Sequence, residues 1–97
     1  MPKYTENKVC DCYLYFTADC IIEAMHAHAN EKGTIRRGAA KFWVYSDGST
    51  KVADKGTLSQ QQIKGIQNYI KKNLPQMVEK WANFVGVDKS NVEFRNK

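Results

Sequence analysis

The sequence has no apolar run approaching the ~18 residues that a membrane-spanning helix needs, so an α-helical integral membrane protein is excluded. The opening stretch MPKYTENK lacks the apolar core of a secretory signal. The cytosol is therefore the expected compartment. Cysteine is scarce and odd in number, at 3, which argues against a closed disulfide framework; Cys10 and Cys12 are also too close in sequence to bridge easily. Internal repeats, linkers and low-complexity tracts are missing as well. Histidine occurs only twice, as His26 and His28 in the stretch MHAHA.

What remains is one domain of 97 residues. A chain of this size buries about 60–70% of its unfolded surface, enough for a single modest core. A hydrophobic fraction of 42% is ordinary for a globular protein. The formal net charge is +5 and the pI about 9.2, a balance that permits nucleic-acid or acidic-protein partners without requiring them. The lysines are spread along the chain, as on a generally solvated surface.

Residues 1–8 read as a peripheral start. Val9 to Phe16, VCDCYLYF, reads as a strand with Cys10, Cys12, Leu14 and Phe16 on one face and Asp11, Tyr13 and Tyr15 on the other. The segment TADCIIEAMHAHANEKG fits either a helix ended by Gly33 or a connection followed by a strand. GTIRRG, Gly33 to Gly38, reads as a turn or loop. The clearest strand is Ala39 to Ser46, with Ala40, Phe42 and Val44 opposite Lys41, Trp43 and Tyr45. Asp47 to Ser49 is a turn signal, and Thr50 to Ala53 a short returning strand.

A well-marked helix follows. Ser59 and Gln62 form a capping box, with Leu58 and Ile63 at the staple positions. Ile63, Ile66, Ile70, Leu74, Met77, Trp81 and Phe84 recur every three or four residues as one apolar stripe. Pro75 interrupts it, so the spacing predicts a kink or break between Asn73 and Gln76. Gly86 is a natural stop. NVEF, Asn91 to Phe94, alternates and reads as one more edge strand, with residues 87–97 otherwise peripheral.

The order of these motifs resembles a known family. An aromatic strand (YLYF) is followed by the H-x-H pair, AKFW at Ala40 to Trp43, VADKGTLS, then a helix with a late Trp81 and FVG. From about Tyr13 to Gly86 this is similar to the small bacterial domain-of-unknown-function family numbered forty-one-sixty. The resemblance implies a compact α+β domain, often encoded beside another small protein in arrangements like toxin–antitoxin pairs. It implies no catalytic residues, and it favours a strand for MHAHA.

Three kinds of chemistry are open to these residues. On a strand His26 and His28 project on one side, within reach of one metal ion; on a helix they would stand ~200° apart. A Cys₂His₂ zinc site is opposed by alternation, which turns the cysteines toward the helix and the histidines away, unless a bulge flips one strand. The same separation opposes a Cys–His nucleophile pair. Asp11 orienting a histidine would give an RNase-like acid–base pair. The third kind is a binding face made of Tyr13, Tyr15, His26, His28, Lys41, Trp43 and Tyr45. Aromatics on a sheet stack bases or form the centre of a protein interface. A plainer alternative leaves Trp43 half-buried under the tail or the loop after Phe16.

The reading is an α+β fold: a mainly antiparallel sheet of three or four strands, covered on one face by a long C-terminal helix kinked near Pro75. The expected function is a small non-enzymatic module in the bacterial cytosol that binds a partner protein, antitoxin-like or inhibitory. The runner-up is an RNA-binding or RNA-cleaving protein using the basic, aromatic face, and a metal-dependent enzyme comes third. No residue is assigned as catalytic or as a metal ligand, no cofactor is expected, and the oligomeric state is not legible.

Overall fold

A computed structural model describes residues 3–16, 24–31 and 39–95. Four strands, β1 (Tyr13–Tyr15), β2 (His26–Asn30), β3 (Ala40–Val44) and β4 (Thr50–Asp54), form one antiparallel sheet in the order of the chain. Two helices follow, α1 (Gln60–Lys72) and α2 (Leu74–Val85), then a single 3-10 turn at Lys89–Asn91. The fold is α+β, as the alternation and helical periodicity indicate. MHAHA contributes a strand, not a helix. The expected loop at Gly33 to Gly38 and the first half of the ambiguous segment, Thr17 to Glu23 with Cys20, lie outside the described residues.

The first strand is shorter than the apolar run that announces it. Val9 and Cys12 exchange both backbone hydrogen bonds, at 2.8 and 2.9 Å. Between them Cys10 (φ 51°) and Asp11 (φ 66°) are both left-handed. Two consecutive positive φ values in a two-residue loop make this a hairpin turn of the kind that matches strand twist. The turn sends Cys10 into an exposed position, while Cys12 remains fully buried. The expectation that Cys10 continues the apolar face of a strand is corrected by this turn.

Beyond it the alternation holds. Leu14, Ala27, Ala29, Ala40, Phe42 and Val44 are all fully buried on one sheet face. They share a single core with Ile63, Ile66 and Ile70 of α1 and Met77 and Trp81 of α2. Each large side chain removed from water in this way contributes roughly 1.5–3 kcal/mol before entropic costs. The small alanines in the middle strands leave room for the bulky helix residues.

The helix signals are realised locally. Ser59 accepts from the Gln62 backbone N–H, and the Gln62 side chain accepts from that of Ser59, closing the capping box. Lys71 and Lys72 occupy the last turn of α1, where cations offset the helix dipole. The expected kinked helix is two helices divided at Asn73. The Asn73 backbone N–H and side-chain amide both donate to Tyr69 O at 2.9 Å, which closes α1. Pro75 then falls in the first turn of α2, the one place where its missing N–H costs nothing. Gly86, left-handed at φ 86°, ends α2.

The segments expected at the periphery each send a residue inward. Tyr4 is buried against Phe16, with ring centroids 4.9 Å apart, and its N–H donates to Leu14 O. Val92 joins the core from the other end. NVEF is not an edge strand: Lys89–Asn91 is a 3-10 turn, and in the stretch after it Glu93 O accepts from Met25 N at 2.9 Å. Asp88 caps that turn by accepting from Ser90 N, and the turn takes up Asn91, the first residue of the expected strand.

Candidate interaction face

The strand register fixes which side chains share the sheet face opposite Leu14, Phe42 and Val44. Tyr13 pairs with Asn30 and Tyr15 with His28; His28 pairs with Lys41 and His26 with Trp43; Trp43 pairs with Lys51 and Lys41 with Asp54. Directly opposed residues project to the same side. Tyr13, Tyr15, His26, His28, Lys41 and Trp43 are therefore brought together, and alternation beyond β3 adds Tyr45. A register shift between Lys41 and Phe42 accommodates Ala53 as an extra residue, which lets Lys51 and Asp54 both stand on this face.

The face is not uniformly open. Tyr15 is 2% exposed, His26 1% and Tyr45 7%, whereas Tyr13, His28, Lys41 and Trp43 are half-exposed. The expectation of a solvent-facing histidine pair is thus corrected at His26. Its ring is enclosed by His28, Trp43 and Trp81, with centroids at 5.0, 5.4 and 5.4 Å. Its Nδ1 lies 2.9 Å from Ala24 O; a carbonyl only accepts, so Nδ1 carries the proton. Tyr4 closes the corner by donating its hydroxyl to His26 O at 2.7 Å. His26 is a structural ring holding the end of β2, and His28 alone of the pair reaches the surface.

The two half-exposed aromatics are capped by cations. Lys3 and Lys8 lie over the Tyr13 ring, 4.7 and 4.9 Å from its centroid. Lys41 and the Arg95 guanidinium lie over the Trp43 indole at 4.3 and 4.7 Å. Such contacts are worth about 0.5–1 kcal/mol each where exposed. They occupy the ring faces that a stacked base would use. The tail does half-cover Trp43, by placing Arg95 on it.

Cys12 lies on the opposite, core-facing side, so alternation separates it from His28 and no Cys–His pair is assembled there. Burial above all, with the Glu31 carboxylate adding to it, pushes the Cys12 thiol up to about 11. A thiol held protonated at neutral pH is a poor nucleophile and a poor metal ligand. Among the described residues, no three His, Cys, Asp or Glu side chains converge as a metal site would require. No described helix is long and apolar enough to cross a membrane.

Comparison with protein families places the chain. The family described as Domain of unknown function (DUF4160) matches residues 12–82, most of the chain. The chain belongs to the DUF4160 family. This agrees with the resemblance seen in the order of its motifs. No curated protein and no solved structure matches it.

The matched region of this DUF4160 domain runs from Cys12, at the end of the hairpin turn, to Ala82 in α2. It holds Tyr13, His28, Lys41 and Trp43 but not the outer cations. Lys3, Lys8 and Arg95 were not singled out from the sequence. They are lysines and an arginine among many, at opposite ends of the chain, and only the terminal segments folding back onto the sheet bring them to Tyr13 and Trp43.

Proposed function

We propose that this DUF4160 domain is a non-enzymatic module of the bacterial cytosol that binds a partner protein through Tyr13, His28, Lys41 and Trp43. An antitoxin-like or inhibitory action on that partner is the role proposed. The observation that supports it is the set of cations resting on Tyr13 and Trp43. Half-exposed aromatics are the usual anchors of protein interfaces. Nucleic-acid platforms instead need open ring faces for base stacking, and here Lys3, Lys8, Lys41 and Arg95 cover them. Substrate chemistry has less to draw on, because the Cys12 thiol is buried and protonated and His26 is locked by Ala24 and its aromatic neighbours.

The test is capture from a lysate of the native host by the wild-type chain and by Trp43→Ala, each with and without nuclease. A protein retained after nuclease and lost with Trp43→Ala supports the reading. A partner released by nuclease assigns the face to RNA and overturns it.

A further inference from the structure

We infer that the two capped rings are paired anchor points for a single acidic segment of the partner; this rests on the partner-binding reading above. The sheet register gives their separation. Tyr13 stands opposite Asn30 and Trp43 opposite His26, so the rings lie four residues apart along β2 and two strand spacings apart across it. At about 3.4 Å per residue and about 4.8 Å per strand, the diagonal is about 17 Å. Between them only the half-exposed His28 reaches the surface from β2, because His26 and Asn30 are buried, as is Tyr15 beside it. A ligand therefore meets two separate cationic points, not one continuous aromatic floor.

The chemistry of each point selects carboxylates. Arg95 is exposed, with its guanidinium against the Trp43 indole. A guanidinium stacked on one face keeps its edge N–H groups for a bidentate carboxylate. Lys8 is exposed over Tyr13 beside Lys3, and an ammonium keeps donors for an acceptor beyond the ring. With Lys41 and Lys51, these cations outnumber Asp54, the carboxylate that the register places on this face. An acidic peptide gains from the cations without needing the ring faces, and a nucleic acid would lose its stacking. A segment touching both points binds its second end intramolecularly, so its affinity exceeds that of either contact alone.

The probes are two fluorescein-labelled peptides of the same composition, each with two Glu residues, separated by about eight Gly-Ser residues in the long-spacer peptide and adjacent in the other. At about 3.3–3.6 Å per extended residue, only the long-spacer peptide brings its carboxylates about 17 Å apart. Fluorescence anisotropy at low salt should show the long-spacer peptide binding at least about tenfold tighter, in the range expected of linked contacts. Arg95→Glu and Lys8→Glu, both surface changes checked by an unshifted thermal midpoint, should each remove that advantage. Equal binding of the two peptides, an advantage that survives both charge reversals, or tighter binding of an oligouridylate of equal charge would overturn the inference. The two readings fail separately. Equal peptide binding defeats the bridging even where a host protein is captured, and absence of a Trp43-dependent host partner defeats the parent reading whatever the peptides do.

Discussion

Gly65, in the middle of α1, lies against the thiol of Cys10: a Cβ at this glycine would collide with Cys10 Sγ. A helix-interior glycine ordinarily costs about 1 kcal/mol relative to alanine. Here it makes room for the hairpin turn, whose Cys10 carbonyl also accepts from the Gln62 side chain at 3.1 Å.

Gly65→Ala alone should therefore fail to stabilise the domain, or destabilise it slightly, because the added methyl displaces the Cys10 side chain. In a Cys10→Ala background the sulfur is gone and Cys10 Cβ is at an ordinary contact distance of 3.7 Å. There the same change should raise stability by about 1 kcal/mol. Denaturant midpoints of the four proteins in this cycle check it; additive effects would mean that the two residues do not touch.

Asp11→Gly should raise stability. Asp11 sits at φ 66°, where a side chain costs roughly 1–2 kcal/mol and glycine does not. Glycine's extra freedom in the unfolded chain offsets part of the gain, leaving about 0.5–1 kcal/mol. In a domain of this size that is a rise of a few degrees in thermal midpoint, and a fall would refute the left-handed turn.

Trp81→Ala should cost roughly 3–5 kcal/mol, the range for emptying a large aromatic site. Trp81 is 3% exposed and packs on Phe16 and His26 at 5.3 and 5.4 Å. Because domains of this kind hold ~5–15 kcal/mol in total, the denaturant midpoint should drop steeply. A midpoint barely altered would place the indole outside the core.

Cys12 makes stability sensitive to alkali. Its folded-state pKa of about 11 stands above the ordinary value of 9.0. The folded state therefore holds the proton more tightly than the unfolded chain. The stability linked to this group is intact below pH 9 and falls as pH rises from about 9 to about 11. Other groups titrate in the same range, so the comparison is with Cys12→Ala: the wild-type should lose stability relative to that variant across the window. Parallel pH profiles would exclude a shifted thiol. Alkylation at neutral pH, mapped by mass, should mark exposed Cys10 and spare buried Cys12.

Much of this molecule was legible because its signals are short-range. The alternation of Ala40 to Val44, the Ser59–Gln62 box, Pro75 and Gly86 each act within a turn or a strand, and each appears where its chemistry puts it. The turn at Cys10 and Asp11 was hidden because cysteine is not a residue such turns favour, the aspartate stands second where they favour glycine, and the surrounding apolar run imitates a strand. The burial of His26 was hidden for another reason. Alternation tells which face a residue takes, not what covers that face. The cover here includes Trp81 and Tyr4, distant in sequence on either side. The cations over Tyr13 and Trp43 were invisible on the same ground, since Lys3 and Arg95 meet the sheet only through tertiary closure.

The strand order β1-β2-β3-β4 also bears on how the domain is made. Each strand pairs with its immediate predecessor, so the sheet can zip up in the order of synthesis through local contacts, the topology that folds fast. The bond from Met25 N to Glu93 O and the seating of Arg95 on Trp43 join segments far apart in the chain. They form only after the sheet and both helices have left the ribosome. During synthesis Trp43 is therefore without its guanidinium cover, and the emerging sheet presents a more apolar surface there than the finished domain does.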